Sequence, residues 1–355
     1  MPLFKRPSVV STVLQNTSGG DSSMQNAQSN ASYNTAFGFE SLKTVTTGSY
    51  NTALGNQSLN KNTTGGGNTA IGDQALRDNT LSNANTAIGA GSMLLNTTGQ
   101  QNTAIGDSSL QNCVTGNYNT ALGQNALRNY TRNDNTAIGQ SALYTNIIGN
   151  LNTAIGKASL ELNVASDNTA VGAYSMEKNT SGTLNTAVGT NALNQHTTGN
   201  NNVAIGYSSQ YSATTGVYNT SIGSQSLQAS TAGQQNTAIG TRAMAQSTGY
   251  RNVAVGSQAN DSALHTGFST VAIGAGSLTG RANYSIAIGD NSRALNDNVI
   301  AVGFNAGVGV TVPTGSLAFG SGMTNLVLSS AGSSNGLDMI VYLNGNPYRI
   351  ALKSY

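Results

Sequence analysis

Acid–base catalysis, metal ligation or a thiol nucleophile in this chain would draw on Glu40, Glu161, Glu177, His196, His265 and Cys113. A general acid and base must converge within hydrogen-bond reach of one substrate. The two histidines stand in different connecting segments, and no glutamate is near either in sequence. Cys113 is the only cysteine, which excludes an intramolecular disulfide and a multi-cysteine metal site. It is expected to replace a polar loop residue within 111–116, and each histidine is expected to lie in a solvated turn. Asp290 and Asp297 read as turn aspartates, and the Gly-Ala-Gly strings at 89–91 and 274–276 lack the rest of a nucleotide-binding fingerprint. The expectation is a protein that is not an enzyme and holds no cofactor or metal.

What positions these residues is a repeat. Asn-Thr-Ala-Ile-Gly stands unchanged at residues 68–72, 85–89, 102–106 and 135–139, and its terminal glycine recurs at eighteen positions from Gly38 to Gly320, mostly 17 residues apart. A unit this short buries no core of its own, so the repeats must stack on one another. Four residues before the glycine Asn stands in fourteen copies; two before it Ala stands in seventeen, with Ser221 the exception. The residue just before the glycine is always Ile, Leu, Val or Phe, and a Leu or Met usually follows four residues after it, as in Leu42, Leu59 and Met93. The fold class predicted is all-β, a parallel β-solenoid of about eighteen coils.

In an extended segment alternate residues share a face. The Thr three before the glycine points with the aliphatic residue one before it, and Asn points with Ala. Thr gives way to Val203, Val253, Val271, Ile286, Ile300 and Leu317, which reads as an enclosed site. The expected core is therefore Phe37, Leu54, Ile71, Ile88, Ile105, Leu122, Ile138 and Ile155. A solvent-facing column would vary, so Ala36, Ala53, Ala70, Ala87 and Ala104 are expected to meet another chain. The Asn column is expected to form a side-chain ladder at the coil spacing of about 4.8 Å.

Charged residues make up 8% of the chain, with a net charge of +2 and no basic cluster. That excludes an electrostatic footprint for nucleic acid. No apolar run approaches the length that crosses a membrane, and the apolar pieces within 1–14 are too short for an export signal. Residues 1–33 lack the motif and read as a separate attachment segment; 34–320 form the repeat rod. Within 321–355, two apolar stretches around Asn344-Gly345-Asn346-Pro347 predict a β-hairpin that caps the solenoid or forms its tip.

Residues 284–303, Tyr-Ser-Ile-Ala-Ile-Gly-Asp-Asn-Ser-Arg-Ala-Leu-Asn-Asp-Asn-Val-Ile-Ala-Val-Gly, resemble the head repeats of YadA-type trimeric autotransporter adhesins. Over 34–249 the 17-residue version is similar to repeats in tail-fibre-like proteins of bacteriophages and large viruses. The resemblance implies a left-handed β-roll and an intertwined homotrimer. It also implies a virion fibre or spike that attaches to a host-surface glycan or protein receptor and joins other virion proteins through the N-terminal segment. A bacterial cell-surface adhesin is the alternative. The autotransporter's export signal and membrane barrel have no counterpart here, which favours the virion fibre. Tyr118, Tyr218 and Tyr250, close to the motif Asn, are candidate partner contacts. An ice-binding solenoid is a third reading, which requires the Thr column to face water.

Overall fold

A computed structural model describes residues 15–129, 132–145, 147–262 and 266–302, together with the strands Met339–Leu343 and Asn346–Ile350. The chain is all-β and divides into two compact units, Met1–Asn219 and Thr220–Tyr355. In each, three-residue strands stack in parallel as successive rungs of a β-solenoid. In the first unit they run from Thr17–Gly19 to Val203–Ile205, in the second from Thr220–Ile222 to Ile300–Val302. The register is the motif's own. Thr103 pairs with Thr86 and Thr120, and Ala104 with Ala87 and Ala121.

The solenoid starts earlier than the motif count predicts. Thr17–Gly19 pairs in parallel with Thr35–Phe37, and Asn16 Oδ1 accepts the Asn34 N–H at 2.8 Å. Residues 15–33, expected to belong to a separate segment, are therefore a coil. Asn16-Thr-Ser-Gly-Gly20 keeps the Asn and Thr of the motif but carries Gly19 where the aliphatic residue should stand. Residues 1–14 and the eighteenth motif copy at Leu317 and Gly320, with the boundary after it, lie outside the described residues. Where the sequence predicts a hairpin, Met339–Leu343 pairs antiparallel with Asn346–Ile350, with Leu343 opposite Asn346.

The strand is turned the opposite way from the sequence expectation. Ala36, Ala53, Ala70, Ala87 and Ala104 are fully buried inside their own coil. The residue after each points outward: Phe37, Leu54, Leu122 and Ile155 are exposed, and Ile71, Ile88, Ile105 and Ile138 are half-buried. The physical reason is volume. Leu42, Leu59, Leu76, Met93, Leu110 and Leu127 are fully buried in the same cluster as the Ala column and occupy most of the interior. The space left beside the strand admits a methyl group and no more, and a larger side chain would overpack it. The column is held to Ala by its own coil, not by a second chain.

Asn shares the inward face with Ala, and its ladder holds the coils in register. Asn102 Oδ1 accepts the backbone N–H of Asn119 at 2.9 Å and its side-chain amide at 3.1 Å, while Asn102 Nδ2 donates to the Gly116 carbonyl at 2.8 Å. Asn51, Asn68, Asn185 and Asn202 each donate as Asn119 does, both the backbone N–H and the side-chain amide to the Oδ1 of the Asn one coil before, and the side-chain amide also to a backbone carbonyl. A buried amide is costly unless satisfied, and here the next coil supplies its partners.

Each coil turns through left-handed backbone at residues other than glycine. In the coil after Gly55, Gln57 has φ 52° and Leu59 φ 49°, and the positions recur at Gln74 and Leu76. A left-handed residue with a side chain costs about 1–2 kcal/mol. The Leu is held there because its N–H bonds the next coil, Leu59 to the Ala75 carbonyl at 3.0 Å, while its side chain fills the interior. The motif glycine is obligatory for another reason: a Cβ on Gly106, whose φ is 133°, would stand 2.6 Å from the Gly123 backbone.

Candidate interaction face

The residues best suited to chemistry are kept apart by the coil. Seven residues after the motif glycine the chain enters the interior a second time. There Asn62, Asn79 and Asn96 form a second ladder, with Asn79 donating to Asn62 Oδ1 at 2.7 Å and Asn96 to Asn79 Oδ1 at 3.0 Å. Cys113 and His196 occupy this column and are both fully buried, contrary to the expectation of a polar loop and a solvated turn. The sequence signal was available: both stand at the spacing of Asn62, Asn79 and Asn96. His265 lies outside the described residues.

Cys113 ends the first run of this ladder. Its Sγ lies 3.8 Å from the Gly116 carbonyl, and Asn96 Oδ1 has no hydrogen-bond partner. Burial pushes the thiol up to about 11, so the thiolate that would react is not formed at neutral pH. Cys113→Asn restores a donor to Asn96 Oδ1. It is expected to stabilise the protein by about 1 kcal/mol, read as a higher urea midpoint with an unchanged slope.

His196 ends the second run. Its Nε2 lies 2.7 Å from the Gly199 carbonyl, its Nδ1 has no partner, and Asn179 Oδ1 is unpaired beside it. Burial holds the imidazole below its ordinary pKa of 6.5, against the opposing pull of the Gly199 and Ala213 backbone. The unfolded chain therefore takes up this proton more readily than the folded one. Stability is complete above about pH 6.5 and falls as the pH drops from there toward the folded value. Wild-type protein is expected to lose more of its urea midpoint between pH 7.5 and pH 5 than His196→Asn. Equal losses would exclude His196 as the cause.

The carboxylates are dispersed over the outside. Glu40 is held below its ordinary range, first by a hydrogen bond from Lys43 at 2.6 Å and then by Gln57. Glu161 is raised, by burial and then by Glu177 in the next coil. Among the described residues no three of His, Cys, Asp and Glu gather as a metal site would require.

The surface offers faces instead. The first is the outer side of the sheet, where a column of Thr runs beside a column of Ile, Leu and Val from rung to rung. In the first unit Thr occupies its column at every rung from Thr17 to Thr186. The second is the corner just before the Asn ladder, where backbone of positive φ turns side chains outward. Tyr118 and Tyr218 stand there with φ 59° and 58° and are exposed. Tyr250 is also exposed but lies one residue off this column, which Arg251 fills. The same column holds Tyr33 and Tyr50, whose rings stack with centroids 4.9 Å apart and planes 1° from parallel. Tyr33 carried the same signal, standing directly before Asn34 of the first motif copy, but it ends the stretch that the sequence assigns to a separate segment.

No protein-family model matches the chain, and no curated protein sequence matches it.

Proposed function

We propose that this chain is a structural fibre or spike subunit of a virus particle, most simply of a bacteriophage, that three copies assemble side by side, and that the assembly attaches to a host surface. The observation that carries it is the outward column of Ile, Leu and Val. Soluble monomers rarely expose a long contiguous apolar stripe, and such stripes mark interaction faces. Covering the open part of each aliphatic side chain is worth on the order of 0.5–1 kcal/mol, and the gain repeats at every rung. The low charge and the amide-rich surface suit a passive rod that works by geometry and multivalent contact. The count of three and the attachment of the N-terminal segment to other virion proteins rest on the resemblance to fibre and adhesin repeats. A cell-surface adhesin uses the same architecture and is distinguished by labelling intact particles with an antibody to this chain.

Sedimentation equilibrium is the test of assembly. It is expected to give three times the 36.1 kDa chain mass, and a monomer at micromolar concentration overturns the proposal.

The outward Thr column favours one second reading, an ice-binding solenoid. Its threonines repeat at about the 4.8 Å strand spacing and face out of the coil. This reading requires the same face to be open to water, so it competes with assembly. Thermal hysteresis in a freezing solution of the monomer would support it, and a trimer without hysteresis would exclude it.

A further inference from the structure

We infer that the corner of the coil at Gly67 is a binding notch for one ring of a neutral hexose glycan, with Tyr50 as its platform. The inference rests on the proposed host-attachment role for its purpose and gives that role a ligand class and a place.

The corner column reads Tyr33, Tyr50, Gly67, Ala84, Gln101, Tyr118 from one coil to the next. Tyr33 covers one face of the Tyr50 ring. Because the two rings are parallel and belong to successive coils, the other face of Tyr50 looks along the stack toward Gly67. Nothing stands there. A Cβ built on Gly67 would meet no heavy atom nearer than Ala84 N at 3.9 Å. Tyr50 is accordingly 66% exposed, more than any other large hydrophobic residue described. The stack therefore continues over Gly67 and Ala84 without a ring to cover that face of Tyr50.

The rim selects against charge. Ser49, Asn83, Gln100 and Gln101 stand in this column and the one before it, and no ionisable residue other than the tyrosines occupies either column between Tyr33 and Tyr118. Asn83 Oδ1 accepts the Gly66 N–H at 2.8 Å, which fixes the amide and leaves its NH2 directed to solvent. An apolar ring face bordered by a fixed amide and further neutral polar side chains matches the apolar C–H face and hydroxyl edge of a neutral sugar. A phosphate or a carboxylate would find no cation there.

Gly67→Tyr is the decisive variant. Gly67 has φ 68°, and the column already carries tyrosine at φ 60° in Tyr50 and 59° in Tyr118, so the coil can hold a tyrosine there at the left-handed cost of about 1–2 kcal/mol that it already bears at those two positions. The probes are the hexasaccharides of cellulose, amylose and mannan, followed by saturation-transfer NMR on the full chain. Wild type is expected to transfer saturation to ring protons of at least one of them. Tyr50→Ala and Gly67→Tyr are each expected to weaken that binding about tenfold or more, and Tyr218→Ala to leave it unchanged. An unchanged β-sheet circular dichroism spectrum and a single cooperative melt for Gly67→Tyr show that the fold is kept. No transfer from wild type to any of the three, equal binding by Gly67→Tyr, or loss in Tyr218→Ala overturns the inference. The notch lies within one chain. A monomer that binds sinks the trimer alone, and a trimer that does not bind sinks the notch alone.

Discussion

Ala104→Lys unfolds the coils around it, whereas Ile105→Lys leaves the coil folded and weakens the proposed assembly: these opposite results are expected from adjacent residues of one strand. Ala104 is fully buried between Ala87 and Ala121, and the fully buried polar residues of the neighbouring coils are neutral Asn and Ser such as Asn85, Ser92, Asn96, Asn102, Ser109 and Asn119. An ammonium placed there finds no carboxylate, and an unpaired buried charge costs several kcal/mol. Overpacking adds to it, because the strand stands against Leu and Met side chains that already fill the interior. Loss of β-sheet circular dichroism, or a urea midpoint lowered by more than a third, is the expected readout. Ile105 is half-buried on the outer face, so a lysine there reaches water in the single chain. Its β-sheet signal is expected to persist while, for the proposed trimer, the sedimenting mass falls toward that of one chain. If Ala104→Lys kept its fold and lost only assembly, the orientation of the strand would be wrong.

Asn102→Leu is the second large effect. Leucine has nearly the shape of asparagine and none of its polar atoms. The change strips the Asn119 N–H and side-chain amide of an acceptor, and removes the donor that meets Asn85 Oδ1 at 3.2 Å and the Gly116 carbonyl at 2.8 Å. Each buried polar group left unmatched costs about 1–3 kcal/mol, and several are created at once. A loss of roughly 3–6 kcal/mol follows, measured as a drop in urea stability. Asn56→Leu is the control. That side chain is exposed and donates only to Asp73 at 2.6 Å, so a loss below about 1 kcal/mol is expected.

The period, the strand at each repeat and the Asn ladder could all be read from residues 34–302, because they depend on spacing alone. Which face is inside could not be read from Ala alone. A column held to a small residue follows equally from a partner chain and from a crowded interior. Parity decides between them. Asn and Ala share a face, and a ladder of amides bonded from coil to coil belongs where water is excluded, so Ala had to be inside with it. The substitution of Val203 and Val253 for Thr then means an apolar outer face, not an enclosed one. The left-handed Leu59, Leu76 and Leu110 gave no warning, since leucine has no local preference for positive φ; only the coil imposes it. The notch at Gly67 was hidden because it consists of a side chain that is missing from a column.

The ladder also makes the number of coils an adjustable quantity. Asn68 Oδ1 accepts the N–H of Asn85, and Asn85 Oδ1 accepts that of Asn102 in the same way, at 3.0 Å and 2.9 Å. A chain lacking residues 73–89 would join Gly72 to Ala90 and bring Asn102 against Asn68, with every bond across the seam replaced by its equivalent. Unequal exchange between near-identical gene segments can therefore add or delete whole rungs, and each product folds as its parent does. Reach becomes a trait that selection can tune in steps of one coil without redesigning any contact.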